Sequence, residues 1–288
     1  MKHALIIALA FTLIGCGNGD DATPTAPVAG STQSGAGASP ASNAEASGPT
    51  PITDVPPAVA VITEDVAYGE TEEQNLRGYL VLPADAVDVP GIIMIHEQWG
   101  LNDYVRAMAR RLAGEGYAVL AIDLYGGQTT TRAADAERFL GAVMRDREAT
   151  LENIRQGYRY LDEFVLSPRI GVVGWSLGGT WALEAGLAFG DNLDAVVMFY
   201  GEIVTDPELL AKLEAPLLGI FAGEDTTIPS REVLLFRGRL DGIGKTSQVV
   251  IYSGLNHGFL NPGMPAYRPE EAQRAWDQAL GFLDQRLR

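Results

Sequence analysis

The chain of 288 residues is poor in the side chains that bind metals or form disulfides. It contains one cysteine, Cys16, and three histidines. A single cysteine excludes an intramolecular disulfide and a cysteine-rich zinc site, and it leaves no thiol nucleophile in the body of the chain. Because histidines are so few, a histidine-rich metal centre is also disfavoured, and we expect no metal and no other cofactor.

Positive charge is scarce as well. The 21 Lys and Arg residues face 37 Asp and Glu residues, so the formal net charge is −16. A chain this acidic repels phosphate backbones and anionic headgroups, which argues against a nucleic-acid partner. Hydrophobic residues make up 47% and charged residues 20%, as in soluble globular proteins. We therefore expect a small-molecule partner, and nothing in the sequence indicates an oligomeric state.

The first residues resemble an export signal. The apolar residues 4–11 follow a basic start and are too few for an ordinary membrane span. The run ends in Leu13-Ile14-Gly15-Cys16, which resembles the bacterial lipobox, where the signal is cut before a cysteine that is then lipidated. An ordinary signal peptide with an incidental cysteine is the alternative. The sequence thus predicts a signal peptide over 1–15 and a lipidated Cys16.

This pattern implies an exported bacterial lipoprotein of the cell envelope that touches the membrane through its lipid alone. Gly17 stands where many inner-membrane lipoproteins carry Asp, which favours the outer membrane, if the source has one. From residue 17 to residue 58, 32 of 42 residues are Ala, Gly, Ser, Thr or Pro. Such a stretch buries too little apolar surface to offset the entropy of ordering it, so we predict a tether over 16–58 and a domain over 59–288. A chain that starts near Val59 is then expected to keep full stability and activity.

Apolar runs and helical patterns alternate through the rest of the chain. Strands are predicted over 61–68, 76–82, 91–95, 119–122, 170–174, 195–200, 216–222 and 248–252. Helices are predicted over 101–114, 133–144, 147–164, 177–188, 230–240 and 270–287. This alternation predicts an α/β domain with a mostly parallel sheet and helices on both faces.

The turn after the strand 170–174 carries the first chemical signal. Gly174-Trp175-Ser176-Leu177-Gly178 lies between a strand and a helix, which is the context of a nucleophile elbow. Small Gly174 and Gly178 let the two backbones pass close to the serine. The amino terminus of the helix adds positive potential where an oxyanion forms. The alternative is a glycine-rich turn that exposes an ordinary serine.

The partners of such a serine follow it in the order acid, histidine. His257 is the one histidine after Ser176, and it follows the last strand. For the acid we choose Asp225 over Glu224, because Gly-x-Asp-x-x-hydrophobic-Pro is the pattern that hydrolases of this kind place there. His257 as an ordinary surface residue and Asp225 as a helix cap are the alternatives. His96 precedes the serine and fits the role of the base poorly.

An oxyanion hole needs two backbone donors, one of them from Leu177 and one from the loop after the strand 91–95. That loop reads His96-Glu97-Gln98-Trp99-Gly100-Leu101-Asn102. Together with Asp123–Tyr125, Gly174–Gly179, Phe199–Gly201 and His257–Phe259, it resembles the motifs of the dienelactone hydrolase family. The resemblance implies an α/β-hydrolase without a large lid that cleaves esters or lactones. It also implies that Glu97 matches the family's active-site glutamate and that the amide of Gln98 is the second oxyanion donor.

Two departures from the family's pattern bear on the chemistry. Its best-known members use a cysteine nucleophile, whereas Ser176 stands here and needs His257 as a base. Glu97 is then either an accessory catalytic group or a structural one. The arginines that hold the carboxylate of dienelactone are replaced by Gly126-Gly127 and Asn261, unless Arg132 substitutes for them. We therefore expect neutral substrates to be preferred.

Four aromatic residues near these motifs are candidates for a substrate pocket, with core packing as the alternative: Trp99, Trp175, Tyr125 and Tyr200. The function predicted from the sequence is a serine hydrolase that cleaves carboxylic esters or lactones through Ser176, His257 and Asp225. A peptidase or a polysaccharide deacetylase on the same fold is the alternative among enzymes. A non-catalytic, lipid-anchored binding module is the alternative outside them.

Overall fold

The computed structural model describes residues 51–71, 75–85 and 87–288. The predicted signal peptide, the lipidation site Cys16 and residues 17–50 of the predicted tether lie outside the described residues.

Eight strands form one sheet. They are β1 (Val61–Glu70), β2 (Asn75–Pro83), β3 (Gly91–Ile95), β4 (Ala118–Ile122), β5 (Ile170–Trp175), β6 (Ala195–Phe199), β7 (Leu217–Ala222) and β8 (Ser247–Tyr252). Their order is β1-β2-β4-β3-β5-β6-β7-β8, in which β3 to β8 pair in parallel while β1 and β2 are antiparallel. The predicted strand bounds agree with these to within two residues, and the predicted α/β class is confirmed.

Seven α-helices occur in the described part of the chain. They are α1 (Asp103–Gly114), α2 (Ala133–Arg145), α3 (Arg147–Arg159), α4 (Leu177–Phe189), α5 (Pro207–Leu210), α6 (Ser230–Gly242) and α7 (Pro269–Leu287). α1 begins two residues later than predicted because Asn102 caps it, its side chain accepting from the amide of Val105. The predicted helix 147–164 is divided, since α3 gives way to a π-helical turn at Tyr160–Phe164. The single turn of α5 is too short for its periodicity to be recognised in the sequence.

The sheet divides the core into two layers because successive strand residues face opposite sides. One layer holds Ile93 and Val172 with the inner faces of α3, α4 and α6. The other holds Ile92 and Val173 with α1 and α7. Helices therefore cover both faces of the sheet, which leaves the carboxyl ends of the parallel strands as the edge where loops can build a site.

The segment 51–58 does not belong to a tether, which corrects the predicted boundary at residue 59. Ile52 is 1% exposed and begins a short 3-10 helix. Its amide donates to the hydroxyl of Tyr267 at 2.8 Å, and its carbonyl accepts from Nη1 of Arg111 at 3.2 Å. The prediction failed because the small and proline residues around Ile52 dominate the composition of the stretch. One buried isoleucine and two hydrogen bonds are enough to fix it to the domain.

Among the residues that the structure describes, no helix is both long enough and apolar enough to cross a membrane.

Candidate active site

Ser176 occupies a sharp turn between β5 and α4. Its backbone has φ 52° and ψ −115°, a region that residues with a side chain rarely adopt. A Cβ atom on Gly174 would overlap the carbonyl of Gly178, and one on Gly178 would overlap the carbonyl of Ile95. Only glycine fits at either position, so the strand and the helix approach as the elbow motif predicts.

The side chains of Ser176, His257 and Asp225 lie in a hydrogen-bonded row. Oγ of Ser176 is 2.9 Å from Nε2 of His257, and Nδ1 of His257 is 2.8 Å from Oδ2 of Asp225. They come from three loops at the carboxyl ends of β5, β7 and β8. Such a row can take the proton from a serine hydroxyl while the carboxylate holds the imidazole in the required tautomer.

The environment of Asp225 favours the charged carboxylate. Burial alone would raise the pKa of Asp225, but the hydrogen bond from His257 and those from the amides of Ile228 and Thr227 outweigh it and lower the pKa. Asp225 does not cap α6, which follows Pro229. Glu224, the acid set aside in favour of Asp225, is exposed to solvent.

The two predicted oxyanion donors lie beside the serine. Leu177 is the first residue of α4, where backbone N–H groups have no partner within the helix. Gln98 follows β3 and lines the same cavity as Ser176 and Leu177. Both residues therefore border the cavity over Ser176.

Glu97 is held by two neutral donors. Nδ2 of Asn261 donates to its Oε2 at 2.6 Å, and the hydroxyl of Tyr200 donates to its Oε1 at 3.4 Å. Neither oxygen is bonded to Ser176 or His257. Burial raises the pKa of Glu97, and the two hydrogen bonds oppose that rise only in part.

His96 has a structural position. Its Nε2 accepts from the amide of Leu124 at 3.1 Å, so its proton lies on Nδ1, 2.6 Å from the carbonyl of Glu97. The ring is fully buried and packs against Tyr125. His96 thus joins the ends of β3 and β4. Both of its ring nitrogens are bonded to the backbone, so it does not act as the base.

A cavity of about 330 Å³ opens over Ser176, and we call it the nucleophile cavity. Its wall is formed by one face of α2, by the first turn of α4 and by loop residues: Gln98, Trp99, Ala133, Ala136, Glu137, Leu140, Met144, Ser176, Leu177, Thr180, Tyr200, Glu202, Thr227, Ile228 and His257. Trp99 and Tyr200 line it, as predicted. Its lining includes two carboxylates, Glu137 and Glu202, and none of the described residues that line it is Lys or Arg.

Two of the four aromatic candidates do not line this cavity. Trp175 is fully buried in the opposite core layer, where its ring stacks on Phe199 with centroids 5.3 Å apart. The reason is the alternation of β5, which turns Trp175 away from the elbow. Tyr125 packs between His96 and Phe139 and borders a separate, smaller cavity. The pocket role predicted for Trp175 is therefore wrong, and Tyr125 lies outside the nucleophile cavity.

Arg132 does not replace the missing carboxylate-binding arginines. Its side chain is 78% exposed and pairs with Asp135 at 3.6 Å. It precedes α2 and is absent from the lining of the nucleophile cavity. Within the described ranges, no group of three or more His, Cys, Asp and Glu side chains could hold a metal ion.

Sequence reasoning missed Thr180 and the cavity-lining face of α2. Oγ1 of Thr180 donates to the carbonyl of Ser176 and accepts from the amide of Glu202, so it ties the loop after β6 to the elbow. Its position four residues after the nucleophile was the available signal. The pattern of α2 predicts an apolar face but does not tell whether that face meets a core or a cavity.

The model of the dienelactone hydrolase family matches residues 76–287. The chain belongs to this family. It is therefore a hydrolase of the ester- and lactone-cleaving type with the α/β-hydrolase fold, as the sequence predicted.

Similar proteins agree with this assignment. A protein of Bradyrhizobium sp named "Probable 2-oxo-3-(5-oxofuran-2-ylidene)propanoate lactonase" is 29% identical over 226 residues, which are 74% of this chain and 90% of that protein. A "Putative carboxymethylenebutenolidase" of Aquifex aeolicus is 28% identical over 216 residues, 73% of this chain and 93% of its own. A dienelactone hydrolase-like promiscuous phosphotriesterase from metagenomic libraries has a similar fold, with a TM-score of 0.72 and 21% identity over 80% of this chain and 100% of its own.

Proposed function

We propose that the chain is a serine esterase or lactonase in which Ser176 is the nucleophile. The observation that carries this proposal is the row from Ser176 through His257 to Asp225, with distances of 2.9 and 2.8 Å. His257 takes the hydroxyl proton as Oγ attacks the ester carbonyl. Asp225 stays charged and stabilises the imidazolium that results.

The amides of Leu177 and Gln98 are the proposed donors to the oxyanion. They are fixed by the start of α4 and by the turn after β3, so they need no rearrangement during the reaction. His257 then gives its proton to the departing alcohol, and water attacks the acyl-enzyme by the same route. Glu97 acts in this proposal as a structural residue, since its oxygens are already engaged by Asn261 and Tyr200.

The proposed substrates are uncharged. The nucleophile cavity carries Glu137 and Glu202, and Arg132 turns to solvent beside Asp135. A carboxylate on the substrate would meet no positive partner there and would be repelled by two acids. This reasoning favours neutral esters or lactones over dienelactone itself.

We further propose that the protein is exported and lipid-anchored at Cys16. The support is the Leu13-Ile14-Gly15-Cys16 pattern after a short apolar run, and the absence of any other cysteine. Replacing Cys16 by Ser should remove the lipid mass shift and release the protein from the membrane fraction, or leave it unprocessed. A wild-type protein that is soluble and carries no lipid mass would contradict the anchor.

The nucleophile is tested by labelling with a fluorophosphonate probe. The wild type should be labelled, Ser176→Ala should not, and its turnover of a neutral ester should fall by about 10⁴-fold or more. Ser253→Ala, which removes an exposed serine near His257 in sequence, is the matched control and should label like the wild type. Labelling of Ser176→Ala at wild-type level would remove this serine from the mechanism.

A further inference from the structure

A second cavity, of about 770 Å³, shares Trp99 with the nucleophile cavity. We call it the second cavity. It lies between the first turns of α1, the loop 261–264, the threonines at 130 and 131, and the packed segment that includes Thr53 and Asp54. Its volume lies within the ~300–1,000 Å³ of ordinary small-molecule sites, and it is more than twice as large as the nucleophile cavity.

The second cavity contains polar groups with unused hydrogen-bonding capacity. Arg110 donates to the hydroxyl of Tyr79 and has no carboxylate partner within the described part of the chain. Asn102 uses its Oδ1 to cap α1, which leaves its NH₂ group free to donate.

The charges in this cavity disfavour an anion. Asp54 and Asp103 supply two carboxylates against the single guanidinium of Arg110. A purely apolar occupant would desolvate all three without bonding to them. An uncharged occupant with several hydroxyl groups can hydrogen-bond to all three of these charged groups at once. The flat indole of Trp99 offers an apolar surface for the C–H face of a ring.

We propose that the second cavity binds the alcohol portion of the substrate and that this portion is a sugar. The proposal rests on the hydrolase function proposed above, because the ester carbonyl must reach Ser176 while the sugar lies against Trp99. In the reaction the bond between Oγ and the acyl carbon forms and the ester C–O bond breaks. The proton held by His257 goes to the sugar oxygen, so the sugar leaves with a free hydroxyl group.

Binding is tested first without catalysis. Xylotriose is titrated into the Ser176→Ala protein and followed by NMR, with 1-octanol as the apolar comparison. Ala107→Phe, made in the same background, places a large side chain in the second cavity and should weaken xylotriose binding at least about tenfold. The matched control is Ala188→Phe, at an exposed position of α4 that lines neither cavity, and it should bind xylotriose normally.

Kinetics with the active serine then link the cavity to the reaction. Acetylated xylotriose and ethyl acetate share the acetyl group and differ only in the alcohol. The wild type should prefer the acetylated sugar in kcat/KM, and Ala107→Phe should reduce that preference at least about tenfold. Should Ala107→Phe not fold, Asp103→Ala removes a hydrogen-bond acceptor at an exposed position and should reduce the preference about three- to tenfold.

The outcomes separate the two proposals. Xylotriose binding that is absent, that Ala107→Phe leaves unchanged, or that is weaker than the binding of 1-octanol overturns the sugar site. Failure to cleave either ester, with xylotriose binding that remains sensitive to Ala107→Phe, contradicts the hydrolase mechanism instead.

Discussion

The nucleophile cavity and the second cavity share Trp99, but the other residues that line them differ in chemistry. The first holds Ser176 and His257 above the charged Asp225. The second holds no nucleophile and offers scattered hydrogen-bonding groups. Glu97 is bonded to one residue of each cavity, Tyr200 in the first and Asn261 in the second. The reacting residues thus lie in one cavity, and the buried carboxyl group of Glu97 holds a wall residue of each.

The two buried carboxyl groups make the contrast sharper. Burial raises the pKa of both Asp225 and Glu97, but only at Asp225 do the bonded imidazole of His257 and two backbone amides outweigh it. The pKa of Asp225 is lowered and that of Glu97 is raised. Two carboxyl groups whose pKa values are shifted in opposite directions usually have separate roles.

The strongest test of this contrast is to replace each carboxyl group by its amide. Asp225→Asn should lower kcat/KM for a neutral ester by about 10³–10⁴-fold, because His257 loses the partner that sets its tautomer. Glu97→Gln keeps the shape and should cost less than about tenfold, because the hydrogen bonds of the Glu97 oxygens go to Tyr200 and Asn261 and not to Ser176 or His257. Both variants are assayed at one pH on one ester. Equal losses would mean that Glu97 takes part in the reaction.

The wall of the second cavity is tested by shortening the chain. A chain that starts at residue 59 lacks Ile52 and should lose about 2–4 kcal/mol of unfolding free energy, since a buried side chain and the partners of Arg111 and Tyr267 are removed. It also loses Thr53 and Asp54 from the cavity. Urea unfolding of this chain is compared with that of a chain starting at residue 47, which should match the full-length protein. Identical urea midpoints for the two shortened chains would show that the segment containing Ile52 contributes nothing to the stability of the domain.

Substrate charge tests the nucleophile cavity. Two esters that differ only in a remote methyl ester or free carboxylate should differ about ten- to a hundredfold in kcat/KM, with the neutral one preferred. The preference should shrink at high salt, because Glu137 and Glu202 are exposed and screened. At low salt, Glu137→Gln should reduce the preference in kcat/KM for the neutral ester. Preference for the acid, abolished by Arg132→Ala, would show that Arg132 swings into the cavity.

The smallest expected effect is on stability as pH changes, and its sign differs between the two acids. A carboxyl group whose pKa is lowered by folding stabilises the fold above its unfolded pKa, and that stability is lost as pH falls. One whose pKa is raised stabilises the fold below its unfolded pKa, and that stability is lost as pH rises. A tenfold difference in proton affinity between the folded and unfolded states corresponds to about 1.4 kcal/mol of stability.

The wild type should therefore lose stability relative to Glu97→Gln as the pH rises above about 4, because the pKa of Glu97 is raised by folding. Its advantage over Asp225→Asn should shrink below about pH 4. Thermal unfolding of the three proteins above and below this pH measures both trends. If the thermal stabilities of the wild type and Glu97→Gln changed in parallel with pH, the Glu97 carboxyl group would be charged like an ordinary surface acid.

Most of the fold could be predicted because the parallel strands are short, apolar and bounded by glycine or by polar turns. Ser176, Asp225 and His257 could be proposed as a set because each follows a strand and their order is restricted. The partners of Glu97 could not be predicted, since Tyr200 and Asn261 lie 103 and 164 residues away. Trp175 and Ile52 were misassigned for a related reason: the direction of one side chain and the burial of one residue depend on packing that composition does not contain.

The attachment of Ile52 also has a mechanical consequence. Tension on the chain at residue 51 would first load the bonds from Ile52 to Tyr267 and Arg111, and only then the long ladder between β1 and β2. Two bonds are few beside that ladder, so the wall formed by Thr53 and Asp54 would yield before β1 separates from the sheet. Ser176 and Asp225 are carried by the inner strands β5 and β7 and would keep their geometry. Pulling would then weaken the binding of a bulky substrate in the second cavity before it slowed the cleavage of a small substrate at Ser176.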